Sequence, residues 1–405
     1  MRSLFTPATA LMNRLPYRSK FLLLGLATGL VMLVLFATVY INLNRDIDTA
    51  NNELVGLQML KPLNRVVQVM QQHRGLSAGL LGGNEAMKAP RADKEKQVSD
   101  ALAAADTALS PKMRESAHWK TIRQDWDDIK TQGLNWAQPE NIKRHSMMID
   151  KALTLMVDIA DHTQLTLDPE IDTYYFMDTV VSKMPSMLEP LGITRARGTG
   201  VLAKKELSPQ MRIDISAQLV QMSSTLRAQN ANLNKVMHYA PSLQPALSAP
   251  NKEFAEGVDK VFTLIREDIL GEKFLTPPQD YFALTTQLID VGYKMMFETL
   301  IPQFEKQLEA RKAAAQRTLV FDMLLAGVVM LIVAYLAIGT YLSVIDSVDV
   351  FSKGARRMAE GDLTADFTTA GKDELHAAGQ DFNNMAATIR QLLGKIQREV
   401  TQLRS

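Results

Sequence analysis

Apolar residues recur every three or four positions along most of the chain, which is the spacing of one face of an α-helix. The alternation of aromatic and β-branched residues typical of strands is scarce between residues 42 and 318. Seven stretches rich in Gly, Pro, Ser or Asp interrupt this region and predict eight helices. One start signal is Asp168-Pro169, an N-cap carboxylate followed by proline at the first helical position. We therefore predict an all-α fold.

Two long runs without charged residues, 21–41 and 323–345, predict membrane-spanning helices at 21–41 and 319–345. The first run reaches roughly 30 Å as a helix, which is enough to cross a bilayer. Basic residues before this run place residues 1–20 in the cytoplasm under the positive-inside rule: Arg2, Arg14, Arg18 and Lys20. Residues 42–318 then lie in the periplasm and 346–405 in the cytoplasm. We expect a two-pass protein of the cell inner membrane.

The eight predicted helices resemble four helices repeated twice, over 42–165 and 166–318. The apolar stripe of the first helix is Leu60, Leu63, Val67, Met70, Arg74, Ser77 and Leu81, and that of the fifth is Val181, Met184, Leu188, Leu191, Arg195, Gly198 and Leu202. Each member of the second stripe follows its counterpart by 121 residues, as Arg195 follows Arg74. This repeat predicts two tandem four-helix bundles outside the membrane.

An arginine within each apolar stripe allows three interpretations, because a buried charge normally has a partner. The arginines either form structural ion pairs with Asp168, Asp172 or Asp178, or lie at a bundle end with their head groups in water. The third interpretation is an anion site. A guanidinium is planar, permanently charged and able to bind an oxyanion through two hydrogen bonds. The small residues in "RGLSAG" and "RARGTG" leave space for such a ligand.

The candidate anion-binding residues are Arg74, Ser77, Arg195 and Arg197. Arg195 and Arg197 point about 200° apart on a helix, so only one of them can occupy the stripe. Periodicity favours Arg195, whereas the dipeptide "RG" that Arg74 begins recurs at Arg197, and both stay open. Three residues off the stripe are expected to be exposed or flanking: Gln71, Gln72 and His73.

Beyond the second span, two amphipathic segments flank the connector "EGDLTADFTTAGKDEL" within 346–398. The second segment keeps a heptad pattern, which predicts a parallel coiled-coil relay in a homodimer, with a simple stalk as the alternative. The expected relay residues are Glu374, Leu375, Phe382 and Met385. Residues 399–405 continue the pattern as the start of a further coiled coil, so we expect a longer protein.

The composition of the chain argues against several classes of function. The net charge of +1 argues against a nucleic-acid binder, and the absence of cysteine excludes disulfides and thiolate metal sites. The six histidines lack metal-ligand spacing, and no nucleophile, base and orienting group cluster in the sequence. We therefore expect no enzyme, no metal and no cofactor.

Residues 346–398 resemble a HAMP domain through "EGDL", "KDEL" and "FNNM" in that order. The region 42–318 resembles the nitrate- and nitrite-sensing (NIT) domain through "HRGLSAGLL" on the first helix and "LDPEIDTYYFMD" leading to "LGITRARGTG" on the fifth. The second resemblance implies a nitrate or nitrite site formed by Arg74 with Arg195 or Arg197.

A sensor, a span and a HAMP-like segment in this order are similar to the front end of a bacterial methyl-accepting chemotaxis receptor. That resemblance implies a chemotaxis kinase and a coupling protein as partners, through a further C-terminal region. Histidine kinases and diguanylate cyclases carry the same front end. A receptor for an organic carboxylate is the alternative within the receptor class, and a membrane-anchored helical scaffold is the alternative outside it.

Overall fold

The computed structural model describes residues 5–404, with side chains described as far as residue 400. Regular secondary structure within these residues is helical throughout, which confirms the predicted all-α class. The α-helices are α1 Thr6–Asn13, α2 Tyr17–Leu81, α3 Lys88–Ala108, α4 Pro111–Arg114, α5 Ala117–Gln132, α6 Gln138–His162, α7 Ile171–Met177, α8 Met184–Lys204, α9 Pro209–Tyr239, α10 Gln244–Leu264, α11 Pro278–Lys294, α12 Ile301–Ala359 and α13 Glu374–Arg404.

Helix starts follow local capping chemistry. Ser110, Ser116 and Ser208 precede α4, α5 and α9, and each side-chain oxygen accepts a hydrogen bond from the backbone N–H three residues later. Such caps satisfy amide groups that lack an intrahelical partner. At Ser110-Pro111 and Ser208-Pro209 the dipeptide "SP" therefore marks the start of a helix.

The predicted start at Asp168 is wrong by a few residues. Helix α7 begins at Ile171, and its N-cap is Glu170, which makes no side-chain cap. The carboxylate of Asp168 instead accepts from the backbone N–H of Glu170 at 3.0 Å and from Arg311 Nη1 at 2.6 Å. Asp168, which was expected to cap the helix, thus forms an ion pair with the distant residue Arg311 instead.

Three wide π-helical segments extend or join helices without a break: Asp178–Lys183, Ile265–Ile269 and Met295–Leu300. The first joins α7 to α8, and the third joins α11 to α12. A π-turn inserts a residue and rotates the face that follows, and such segments are frequent at functional sites. Two of the three lie on the helices that carry the residues described below.

Residues Arg45–Gln316 form one compact unit. In its first half α2, α3, α5 and α6 pack as a ring of four, and in its second half α8, α9, α10 and α11 do the same. Buried apolar residues of both rings belong to one continuous core, with Trp119, Tyr281, Phe176, Phe254 and Phe304 among its largest members.

The second compact unit comprises the described residues up to Asn44 and from Arg317 onward. It includes the parts of α2 and α12 that are long and apolar enough to cross a membrane, and these contain the two predicted spans. Within this unit α12 ends at Ala359 and α13 begins at Glu374. Phe367 lies in the connector between them, and its ring is fully buried. It stacks on the ring of Phe382 at a centroid distance of 5.1 Å.

Candidate functional site

Arg74 lies on α2 with 5% of its surface exposed and is held by a carboxylate of the other ring. Its Nη1 donates to Glu189 Oε1 at 2.6 Å, and its Nη2 donates to Glu189 Oε2 at 3.1 Å. Nη1 also donates to Ser146 Oγ at 2.7 Å. Gln71 Nε2 donates to Glu189 Oε2 at 2.7 Å, while Gln71 Oε1 accepts from Tyr293 Oη at 2.9 Å. Glu189 thus joins α2 to α8 through a two-pronged ion pair.

Arg195 lies on α8 with 6% of its surface exposed, and it has no such carboxylate. Its Nη1 donates to Thr286 Oγ1 at 2.8 Å, and its guanidinium stacks over the Phe282 ring at 4.7 Å from the centroid. Its Nε is buried without a hydrogen-bond partner, and no ion pair involves it among the residues with described side chains. Burial, followed by the nearby charge of Arg74, lowers the pKa of Arg195 to about 10. The side chain therefore stays charged at neutral pH.

Two glycines let each arginine reach the opposite helix. A Cβ at Gly192 on α8 would lie 3.2 Å from Arg74 Nη2, and a Cβ at Gly75 on α2 would lie 3.1 Å from Arg195 Nη2. Both distances are shorter than ordinary van der Waals contact, so a larger residue at either position would push against a guanidinium. Both arginines consequently lie in the single interface between α2 and α8.

This interface carries one surplus positive charge. Two buried guanidinium groups lie here with one carboxylate that forms an ion pair, that of Glu189, which pairs with Arg74. The charge of Asp290 also acts on Arg195, but this carboxylate lies at an exposed position and forms no ion pair with it among the described side chains. A buried charge without a partner is costly, so such a surplus calls for a counter-ion.

A histidine pair next to Arg74 adds no charge to the interface. His145 Nδ1 lies 2.8 Å from the carbonyl of Asn141, so it donates there and Nε2 is left to accept from His73 Nδ1 at 2.8 Å; the hydrogen-bond network assigns this tautomer. Burial lowers the pKa of His73 to about 2 and that of His145 to about 4. Both rings are neutral near pH 7.

An open cleft of about 580 Å³ borders the partners of Arg195. Its lining includes Phe282 and Thr286, which contact the Arg195 side chain, together with the carboxylate of Asp290. The second ring therefore has a cleft open to the surface beside two side chains that contact Arg195.

A second cluster, in which a partly buried arginine meets two buried carboxylates, has the opposite charge balance. Arg311 on α12 pairs with Glu53 on α2 and with Asp168, and its Nη1 also donates to Thr173 Oγ1 at 3.1 Å. Glu53 is fully buried, and Asp168 Oδ2 is buried without a hydrogen-bond partner. Burial raises the pKa of Asp168 to about 6, although hydrogen bonds from the Glu170 backbone N–H and the Thr173 hydroxyl act in the opposite direction. Two carboxylates here share one arginine.

Comparison with known families agrees with this architecture. The family model described as nitrate and nitrite sensing matches residues 65–295, a span that contains Arg74, Glu189 and Arg195. The chain belongs to this NIT family. The HAMP domain model matches residues 341–391.

Curated protein sequences give no significant match to this NIT-family chain. The solved structure of the NasR transcription antiterminator matches with 13% sequence identity and a TM-score of 0.41, covering 91% of this chain and 99% of that one. At that TM-score the likeness is too weak to bear on fold or function.

Several ligand-site expectations for this NIT-family chain need correction. The ion-pair interpretation offered Asp168, Asp172 and Asp178 as partners of the stripe arginines. Two of these pair elsewhere, Asp168 with Arg311 and Asp178 with Lys183. Gln71 and His73, expected to be exposed or flanking, are buried at 3% and 0% exposure. Each is held by hydrogen bonds to a neighbouring helix, so lying off the apolar stripe did not mean lying at the surface.

The other two candidate residues, Arg197 and Ser77, have partners other than the two stripe arginines. Arg197 is partly exposed and lies 3.5 Å from Asp214 on α9. Ser77 is fully buried and accepts a hydrogen bond from Arg91 Nε at 3.1 Å.

Glu189, the residue that completes the arrangement, was missed from the sequence. It is the single charged residue between Met184 and Thr194, an otherwise apolar or neutral stretch that contains part of the repeat stripe. An isolated carboxylate on a buried helix is a signal for an arginine partner, and that signal could have identified the pair.

In the HAMP segment the four expected relay residues all lie on α13. Glu374 opens the helix, and Leu375 is partly exposed beside it. Phe382 packs on Phe367 and Phe351, and Met385 is 43% exposed. The apolar side chains that do not pack within the chain remain available for contacts outside it.

Proposed function

We propose that this NIT-family transducer binds one nitrate or nitrite ion between Arg74 and Arg195 and relays the event through its HAMP segment. The observation that carries the proposal is Arg195, a buried guanidinium without a carboxylate partner among the described side chains. One monovalent anion would neutralise the surplus charge of the α2–α8 interface.

The shape of the ligand fits the donors available. Nitrate and nitrite are planar and offer two oxygens on one edge, which suits the fork of a guanidinium. Arg195 offers the unpartnered Nε beside its Nη groups, and the glycines at 75 and 192 leave both arginines close to the opposite helix. A small planar ion can thus contact donors from both helices.

A relay route follows from chain continuity. Arg74 lies on α2, which continues into the first candidate span, and Tyr293 lies just before the π-segment that leads into α12. Gln71 bonds both Glu189 and Tyr293, so it links the site to the helix that continues toward the second span. An anion that favours one arrangement of these helices shifts the populations of the two states.

The cellular arrangement is part of the same proposal. Basic residues before the first span favour a cytoplasmic N-terminus, with the sensor in the periplasm and HAMP in the cytoplasm. The exposed apolar residues of α13 favour a homodimer: Phe382, Met385, Leu392 and Ile396. A chemotaxis kinase with its coupling protein is the output we propose, by analogy with receptors of this layout.

An organic carboxylate is the second candidate ligand. Glu189 itself demonstrates that a carboxylate fits the fork of Arg74. Acetate is therefore the informative competitor to nitrate.

The test is thermal unfolding of the full chain in lipid nanodiscs, followed by circular dichroism, with nitrate, nitrite, acetate or chloride at constant ionic strength. Saturating nitrate at about 100 times its Kd should stabilise the wild type by about 2.7 kcal/mol. Arg195→Met should abolish this effect. Arg197→Met, which removes a partly exposed arginine two residues away, is the matched control and should keep it.

Equal stabilisation by chloride, or an effect that survives in Arg195→Met, would refute the proposed site. Stabilisation by acetate in place of nitrate would shift the assignment to an organic carboxylate. Loss in Arg197→Met alone would move the site to the other candidate arginine.

A further inference from the structure

The fork of Arg74 is already filled by a group that resembles the proposed ligand. The Glu189 carboxylate is planar, carries one negative charge and presents two oxygens to Nη1 and Nη2 at 2.6 and 3.1 Å. Nitrate and nitrite would use the same edge in the same way. The side chain of Glu189 thus has the geometry of an internal anion.

Both nitrogens of this fork, Nη1 and Nη2 of Arg74, have hydrogen-bond partners. Arg74 Nη1 donates to Ser146 Oγ as well as to Glu189, and Gln71 Nε2 donates to the same carboxylate. An incoming anion can therefore bind the Nη1/Nη2 edge of Arg74 only if Glu189 leaves. If Glu189 stays, this edge is closed to the anion.

We propose that Glu189 is a built-in competitor that nitrate displaces from Arg74, so that this carboxylate sets the affinity of the site. The inference rests on the proposed function. Displacement breaks the ion pair that joins α2 to α8, and it thereby couples occupancy of the site to the contact between the two rings of helices.

Three features make the displacement feasible. The Glu189 side chain retains 13% exposure, so the carboxylate has a path to water when it rotates away. The interface keeps a positive surplus, so an anion that replaces Glu189 meets two guanidinium groups. A buried ion pair also gains little over its separated, solvated partners, because desolvation offsets much of the attraction.

The test is calorimetric titration of the full chain in nanodiscs with sodium nitrate, comparing the wild type with Glu189→Gln and Glu189→Asp. Glu189→Gln removes the competing charge and should lower the Kd for nitrate by about tenfold or more, given the strength of buried charge pairs. Glu189→Asp keeps the charge but shortens the side chain by one methylene, which breaks the two-pronged contact. It should lower the Kd by roughly threefold or more.

Glu189→Asp distinguishes direct competition for Arg74 from a long-range electrostatic effect of the Glu189 charge. Because the charge is kept, a purely long-range effect predicts no gain in nitrate affinity. Asp290→Asn supplies the complementary control: it removes an exposed carboxylate near Arg195 that does not contact Arg74. A gain in Asp290→Asn as large as that in Glu189→Gln would overturn the competitor role in favour of the field.

The outcomes separate the two proposals. Nitrate binding in the wild type with equal or weaker binding in both Glu189 variants would overturn the competitor role and leave the anion site intact. Absence of saturable binding in the wild type and in every variant would overturn the anion site itself. If Glu189→Gln folds only with nitrate present, the dependence of its melting temperature on nitrate concentration replaces the titration, and a steeper dependence than in wild type supports the proposal.

Discussion

Two arginine clusters in the sensor differ in the sign of their surplus charge. Around Arg311, the carboxylates of Glu53 on α2 and of Asp168 in the segment before α7 share one guanidinium. Between α2 and α8, two guanidinium groups lie in one interface with the carboxylate of Glu189, which pairs with Arg74. Both clusters join segments that are distant in sequence, so an arginine that meets buried groups does not by itself indicate a ligand. The balance between guanidinium and carboxylate groups separates a structural cluster from an anion site.

The same contrast exists within the repeat. Arg74 and Arg195 occupy equivalent stripe positions, 121 residues apart, yet only Arg74 has a carboxylate partner. Arg195 faces a threonine hydroxyl and an aromatic ring instead. Duplication thus supplied two buried cations, and an internal counter-ion serves only one of them.

The largest effect should come from breaking the structural cluster. Arg311→Met leaves Glu53 and Asp168 buried without their counter-ion and should cost about 3–5 kcal/mol of unfolding free energy. Thermal unfolding of the full chain by circular dichroism measures this loss. Lys306→Met serves as the control and should change little, because Lys306 is exposed on α12 and forms no ion pair among the described side chains. If Arg311→Met leaves the unfolding free energy nearly unchanged, the proposed distinction between the two clusters is wrong.

A smaller effect distinguishes the two stripe arginines. Arg74→Met leaves the Glu189 carboxylate without its partner and should lower the unfolding free energy by roughly 3 kcal/mol. Arg195→Met removes an uncompensated charge, so the unfolding free energy should stay within about 1 kcal/mol of wild type or rise. Both variants are measured by the same thermal unfolding without added nitrate. Equal destabilisation by the two substitutions would contradict the surplus-charge description.

The pH dependence of stability should differ between the regions as well. Because burial lowers the folded-state pKa values of His73 and His145 to about 2 and 4, their contribution is present above pH 6.5 and is lost as the pH falls. Each histidine should cost about 1.4 kcal/mol per pH unit below 6.5. Asp168 acts in the opposite direction, because its folded-state pKa is raised to about 6 and its contribution is present at low pH.

Two histidines outweigh one carboxyl, so the melting temperature should fall between pH 6.5 and 4.5. Asp168→Asn should make that fall steeper, since it removes the opposing proton uptake. A melting temperature that is independent of pH would show that the histidine pair does not stay neutral.

The sequence predicted the helical class and the two stripe arginines because both depend on local periodicity. It could not assign Glu189 to Arg74, since that pairing depends on how the two rings pack and not on spacing along either helix. The partner of Asp168 was missed for the same reason, because Arg311 lies 143 residues further along the chain. Gln71 and His73 lie off the apolar stripe and yet are buried, because the α2 helix is packed on more than one side.

The most direct test of the central claim is the number of nitrate ions bound per chain, measured by calorimetric titration of the full protein in nanodiscs against a chloride background. One surplus positive charge at one interface predicts one saturable nitrate per chain, and none in Arg195→Met. A nitrate isotherm that is unchanged when Arg195 is replaced would contradict the account.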